Sequence, residues 1–144
     1  MSELDAILID AARAAAETAY APYSRFHVGA AVRLSDGQIV AASNVENASY
    51  GLSLCAEAVA LAKIANLGQL GSVSAIAIAG GHRQETANGT PQKDTAIMPC
   101  GRCRQMLAEA AMVGRCDIDV LCATRTGHHS YRLSELLPHA FLLP

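Results

Sequence analysis

Five residues of this chain are best suited to chemistry. They are Cys55, Glu57, Cys100, Arg102 and Cys103, held in the segments Cys55-Ala56-Glu57 and Pro99-Cys100-Gly101-Arg102-Cys103. Each segment stands at the start of an expected helix. Two cysteines three apart in a first turn put both thiols on one face. The unpaired N–H groups and partial positive charge of a helix N-terminus favour thiolate over thiol. Two such ends aimed at one point would gather three thiolates around a zinc ion and leave its fourth position open to water. That is the arrangement of a catalytic rather than a structural zinc. Glu57 is a poorer ligand for so sulfur-rich a site. Beside the open position it suits proton transfer, from water to a ring nitrogen and a leaving amine. Two other readings stay open on these residues alone. Cys-x-x-Cys at a helix start is also a thiol-redox pair, and Cys116 or Cys122 could close the shell as a fourth thiolate.

Such a site needs elements that bring two helix starts together. Leu4, Leu8, Ala11, Ala12, Ala15 and Ala19 recur at helical spacing, which predicts an amphipathic helix over 3–19 with Ser2 as N-cap. HVGAAVRL and QIVAAS flank SDG, a hairpin turning at Asp36-Gly37. Gly29 inside the first of these strands implies close approach of another backbone or a ligand. NVENASYGLSL (44–54) reads as a loop, and CAEAVALAKIANLG (55–68) as a helix closed by Gly68. SVSAIAIAGG (72–81) and DIDVLCAT (117–124) read as buried strands. Between them lie a polar surface loop (82–95) and a helix opening at Pro99, near the favoured first-turn position. SYRL reads as a short strand, SELL as a short helix and PHAFLLP as a tail. The order predicts an α/β layered single domain over 1–144, with a mixed sheet.

Composition narrows the partners. With 144 residues, 51% apolar and 17% charged, the chain has enough material for one buried core. A formal charge of −2 without a basic run argues against a nucleic-acid polymer but not against an uncharged nucleoside. No signal peptide or membrane span is expected, which points to the cytoplasm. There five cysteines, an odd number, read as thiols or metal ligands. The five histidines have no ligand spacing.

Cys-x-Glu followed by Pro-Cys-x-x-Cys is the all-cysteine form of the zinc nucleobase deaminase signature. Taken with AYAPYSRFHVGAAV (19–32), NVENASY (44–50), PCGRCRQ (99–105) and ELLPHAF (135–141), in that order, it makes the chain resemble the small homo-oligomeric cytidine deaminases over nearly its full length. The resemblance implies a three-layer α/β/α sandwich around a five-stranded mixed sheet, a Zn2+ cofactor and a homotetramer. It implies hydrolytic deamination of cytidine and deoxycytidine in pyrimidine salvage. It places Asn44 and Glu46 at the ribose hydroxyls, Phe26 in the nucleoside pocket, and the backbone of Ala56 with Glu57 at the pyrimidine edge. Tyr50 and Phe141 match positions that reach into a neighbouring subunit's site, Phe141 stacking on the base.

Two departures stand out. The family commonly has arginine directly after CAE, where this chain has Ala58; Arg102, inside the Cys-x-x-Cys, is the candidate to offset the charge of three thiolates instead. Met98 stands where serine often precedes PCG. An aliphatic residue after CAE together with PCGRCRQ also resembles blasticidin-S deaminase, so a modified cytosine nucleoside or a blasticidin-like antibiotic is the alternative substrate. FHVGAAV and NVENASY are typical of the nucleoside-acting members.

Overall fold

The computed structural model describes residues 1–82 and 95–144, so the expected polar loop at 82–95 lies almost wholly outside the described residues. The elements run α1 (Glu3–Ala16), β1 (Phe26–Leu34), β2 (Ile39–Ser43), α2 (Ala56–Asn66), β3 (Val73–His82), α3 (Gly101–Gly114), β4 (Asp119–Ala123), β5 (His128–Arg132) and α4 (Leu133–Leu136). The strands form one sheet in the order β2-β1-β3-β4-β5. β3 and β4 pair in parallel and every other neighbouring pair is antiparallel, which makes the sheet mixed. Helices cover both faces, giving the expected α/β/α sandwich.

Strand alternation decides which helix meets which face. Val28, Ala30, Val32, Ile76, Ile78, Val120 and Cys122 point to one side, where they pack with Ala60, Leu61 and Ile64 of α2 and Leu107 and Ala110 of α3. Ala31, Ala75, Ala77, Ala79 and Leu121 point to the other, against Leu8, Ile9 and Ala12 of α1. The large side chains thus fill the α2/α3 layer, and the small ones let α1 lie close to the sheet. Gly29 is the tightest point of that contact. A Cβ placed on it would stand 1.9 Å from the Ala12 carbonyl oxygen and 2.5 Å from the Ala16 nitrogen. The backbone that its strand position implied is therefore that of α1.

Local chemistry accounts for the boundaries. Ser2 caps α1 by accepting the Asp5 N–H at 3.1 Å. α1 stops at Ala16, three residues short of the expected end. The Thr18 hydroxyl bonds the Ala15 carbonyl, and Tyr20 pairs with Val45 instead of continuing the helix. The hairpin turns as expected, with the Asp36 carboxylate accepting the Gln38 N–H at 2.9 Å and Gly37 at φ +91°. α2 ends with Leu67 as its C-cap, and Gly68 follows at φ +71°. Pro99 stands outside its helix rather than opening it. Cys100 is the N-cap of α3, its carbonyl accepting the Arg104 N–H.

Because Gly29 meets helix backbone that cannot turn aside, Gly29→Ala is expected to cost about 3 kcal/mol of stability. Gly51→Ala, where nothing lies within 4 Å of the added carbon, should be near neutral. Urea denaturation of both variants checks the contrast; equal midpoints would show that α1 does not seat as closely as described.

Candidate active site

α2 and α3 lie together on one face of the sheet, and their first turns meet. Cys55 is the N-cap of α2 and Cys100 the N-cap of α3, while Cys103 sits in the first turn of α3. Neither capping sulfur bonds its own helix N–H. The three sulfurs instead lie within 4.8 Å of one another, with Cys55 Sγ and Cys100 Sγ 3.9 Å apart. Tetrahedral zinc with Zn–S bonds of about 2.3 Å separates its sulfurs by roughly 3.8 Å, close to the Cys55–Cys100 spacing, so this donor set suits that ion.

The protonation of the cluster fits a metal site as well. Cys55 is lowered to about 6, chiefly by the hydrogen bond from Cys103, opposed by burial, with further help from Cys100 and the charge of Arg102. Cys103 is pushed far up by that same bond to Cys55, by burial and by the nearby charge of Glu57. One proton leaves easily and the next does not, which is how crowded thiols behave until a cation replaces their protons. Cys103 is buried, whereas Cys100 is exposed.

Glu57 occupies the first turn of α2 at 4% exposure, a buried carboxyl beside the Cys55 and Cys103 sulfurs. Burial raises its carboxyl above the ordinary range; its own backbone N–H opposes this, and the charge of Cys55 adds to it. A carboxyl whose hold on a proton is strengthened in this way is suited to accept one.

Cys55, Cys100 and Glu57 open on a cavity of about 360 Å³, within the range of small-molecule sites, with Cys103 buried behind them. Phe26, Asn44, Glu46, Ala56 and Glu57 all line it, together with Cys55 and Cys100. Val28, Leu54, Ile97 and Met98 add an apolar wall that sequence reasoning did not place. Met98 thereby acquires a location, beside the metal ligands on the wall of the cavity.

Asn44 and Glu46 already have partners. The Asn44 amide accepts the Val28 N–H at 2.9 Å and donates to the Phe26 carbonyl at 2.9 Å, extending the β1–β2 pairing one residue past β2. It therefore holds the strand end that carries Phe26, and Phe26 stacks edge-on against His82. Glu46 accepts the N–H groups of Tyr23 (2.9 Å) and Ser24 (3.1 Å). Hydrogen bonding from Ser24 chiefly holds its carboxyl below the usual value. Its side chain so anchors the 21–25 connection at the mouth of the cavity.

The remaining expected site residues lie outside the cavity wall. Tyr50 is 75% exposed and packs edge-to-face on Tyr23 at a neighbouring depression. Phe141 is 71% exposed. Arg102 is exposed on the first turn of α3, within electrostatic reach of Cys55. Two further residues support the site and went unread in the sequence. Arg104 donates from Nε to the Pro99 carbonyl (2.9 Å) and from a terminal guanidinium nitrogen to the Leu136 carbonyl (3.0 Å). Gln105 binds the main chain of Phe141. Both fall inside PCGRCRQ, the one signal that could have found them.

The reading of Cys116 or Cys122 as a fourth thiolate loses its footing here. Cys122 is fully buried in the sheet core, and Cys116 is exposed with its thiol on the Asp117 carbonyl. Among the described residues, the metal-competent cluster holds Cys55, Cys100 and Cys103 without a fourth protein ligand. No helix of the described residues is long and apolar enough to cross a membrane.

Comparison with known proteins agrees with this geometry. The model of the family described as the cytidine and deoxycytidylate deaminase zinc-binding region matches residues 2–117. A cytidine deaminase of Halalkalibacterium halodurans is 40% identical over 136 residues, covering 94% of this chain and 92% of that protein. One from Mycobacterium tuberculosis is 42% identical over 127 residues, covering 88% and 81%. The crystal structure of the cytidine deaminase from Burkholderia pseudomallei superposes with a TM-score of 0.79 at 38% identity, covering 98% of this chain and 100% of that one. A match that runs through both cysteine segments, on a sheet and helix pair arranged to make them converge, means that the chain belongs to the cytidine deaminase family.

Proposed function

We propose that this protein is a zinc-dependent cytidine deaminase, converting cytidine and deoxycytidine with water to the uracil nucleosides and ammonia. The observation that carries the reading is the junction of three sulfurs within 4.8 Å with a buried carboxyl on one nucleoside-sized cavity. Cys55, Cys100 and Cys103 would hold Zn2+, which when bound lowers the pKa of water toward about 7.

The chain's own residues supply the rest. The raised Glu57 carboxyl takes one proton of the attacking water and passes it to N3 of the ring, then takes the second from the hydroxyl now on C4 and passes it to the amine that leaves as ammonia. The backbone at Ala56 and the Glu57 carboxyl read the pyrimidine edge. Phe26 and the wall of Val28, Leu54, Ile97 and Met98 bury the base and keep bulk water away. Asn44 and Glu46 meet the ribose hydroxyls with the hydrogen-bonding capacity their main-chain partners leave over. Arg102 offsets the net negative charge of a divalent ion with three thiolates, in place of the arginine absent at Ala58.

The working unit in this reading is a homotetramer in the cytoplasm, serving pyrimidine salvage. Exposed Tyr50, Leu52, Phe141 and Leu143 support a neighbouring subunit's presence.

Loss of cytidine absorbance on adding the zinc-loaded protein tests the activity, with deoxycytidine and a blasticidin-type aminopyrimidine nucleoside run in parallel. Turnover of the blasticidin compound alone would replace cytidine as substrate. Glu57→Gln is expected to keep one zinc per chain while kcat falls by about a thousandfold; an active variant would remove Glu57 from proton transfer. Arg102→Ala should weaken zinc retention by about tenfold in a chelator competition, and wild-type retention would show that the charge is offset elsewhere.

A further inference from the structure

The cavity, Glu57 and the sulfurs leave one well-built feature of the α3 helix unused. Gln105 is not among the residues lining the cavity, and it binds both polar groups of a single residue 36 positions further on. Its side-chain nitrogen donates to the Phe141 carbonyl at 2.7 Å, and its side-chain oxygen accepts the Phe141 N–H at 3.0 Å. Only a carboxamide offers a donor and an acceptor side by side in this way, as a neighbouring β-strand would. The segment it grips has no regular structure of its own after α4. Arg104, the preceding residue, fixes the start of that segment through the Leu136 carbonyl, and Leu137 and Ala140 rest partly buried against the core.

All this fastening ends in a ring that touches little of its own chain. Phe141 is 71% exposed, with Leu142 and Leu143 beside it at 49% and 83%. It is not among the described residues that line the cavity. An aromatic side chain this exposed is not core material, and the two-point clamp fixes the main chain from which the ring projects.

We infer that Gln105 is a positioning residue for substrate binding, locking the Phe141 main chain so that the ring is presented at a fixed angle to the nucleoside site of a second copy of the chain. The inference rests on the proposed cytidine reading. It adds that the helix which carries two of the metal ligands also sets the aromatic that closes a neighbour's site. Gln105 acts only through Phe141 and touches no reacting atom.

A double-mutant cycle on the zinc-loaded, assembled protein tests it, with cytidine as the probe. Gln105→Met keeps the length of the side chain and loses both bonds. It is expected to raise KM about tenfold with kcat within about twofold of wild type, and with one zinc per chain. Phe141→Ala should raise KM as well. Adding Gln105→Met to Phe141→Ala should change KM by less than about twofold, since the clamp then has no ring to position. A wild-type KM in Gln105→Met, or full additivity in the double variant, overturns the inference. If Gln105→Met fails to fold, Gln105→Glu, which keeps the acceptor, carries the same cycle with the same two deciding outcomes. A wild-type protein without cytidine turnover overturns the proposed function first, and is told apart from failure of the clamp by that control alone.

Discussion

Three sulfurs cannot be gathered within 4.8 Å as anions without something to repay their repulsion. At an effective dielectric of about 20, two unit charges about 4 Å apart repel by about 4 kcal/mol, and there are three such pairs. The fold meets part of this cost before any metal arrives. Two of the sulfurs stand at helix N-caps and the third in a first turn, where main-chain N–H dipoles favour negative charge. The remaining cost keeps protons on the cluster, as the raised Cys103 shows. A divalent cation removes those protons and turns mutual repulsion into shared attraction, so metal binding and the closing of this corner of the fold are one thermodynamic event.

That constraint explains the layering. For two helix starts to meet, α2 and α3 must lie side by side on one face, entering from the same edge of the sheet. The chain achieves this by putting the large β-branched residues of β1, β3 and β4 on that face, where Ile76, Ile78, Val32 and Val120 seat both helices. The opposite face is nearly all alanine and glycine, which lets α1 cover it at close range. The parallel β3–α3–β4 passage then delivers Cys100 and Cys103 to the place where Cys55 already waits. Glu57, one residue into α2, is buried as a consequence of the same convergence, and its burial is what raises its carboxyl.

The gathering of Cys55, Cys100 and Cys103, with Glu57 beside them, and the order of elements were legible because each is written in local pattern: sulfur spacing at a helix start, alternation in strands, 3.6-residue periodicity. Gly29 was legible for the same reason, as a glycine that breaks a strand pattern. The far ends of side chain-to-main chain bonds were not. Arg104 reaches Leu136 and Gln105 reaches Phe141 across 32 and 36 residues, and no periodicity encodes such a pairing. Asn44 shows the same limit from the other side. Its resemblance-based place at a ribose hydroxyl concealed a structural task, bonding both Val28 and Phe26 to hold the strand end. The early stop of α1 was also hidden, because alanine at 14, 15, 16 and 19 favours helix throughout and only the tertiary pairing of Tyr20 with Val45 ends it.

Ala58 shows how the charge balance and the packing bear on each other. It is 4% exposed in the first turn and a half of α2, among residues that face the core. A methyl group there fills its space without desolvating a cation, whereas a guanidinium would need its five donors satisfied at the same depth. Arg102, exposed on the α3 first turn, keeps its hydration and still lowers Cys55, which is why we propose it as the compensating charge. An exposed charge acts more weakly at the sulfurs than a buried one and more strongly depends on ionic strength. The helix termini must then supply the larger share of the compensation in this chain. Their dipoles are held in place by the packing of α2 and α3, which ties the anionic character of the site to that packing rather than to any one side chain.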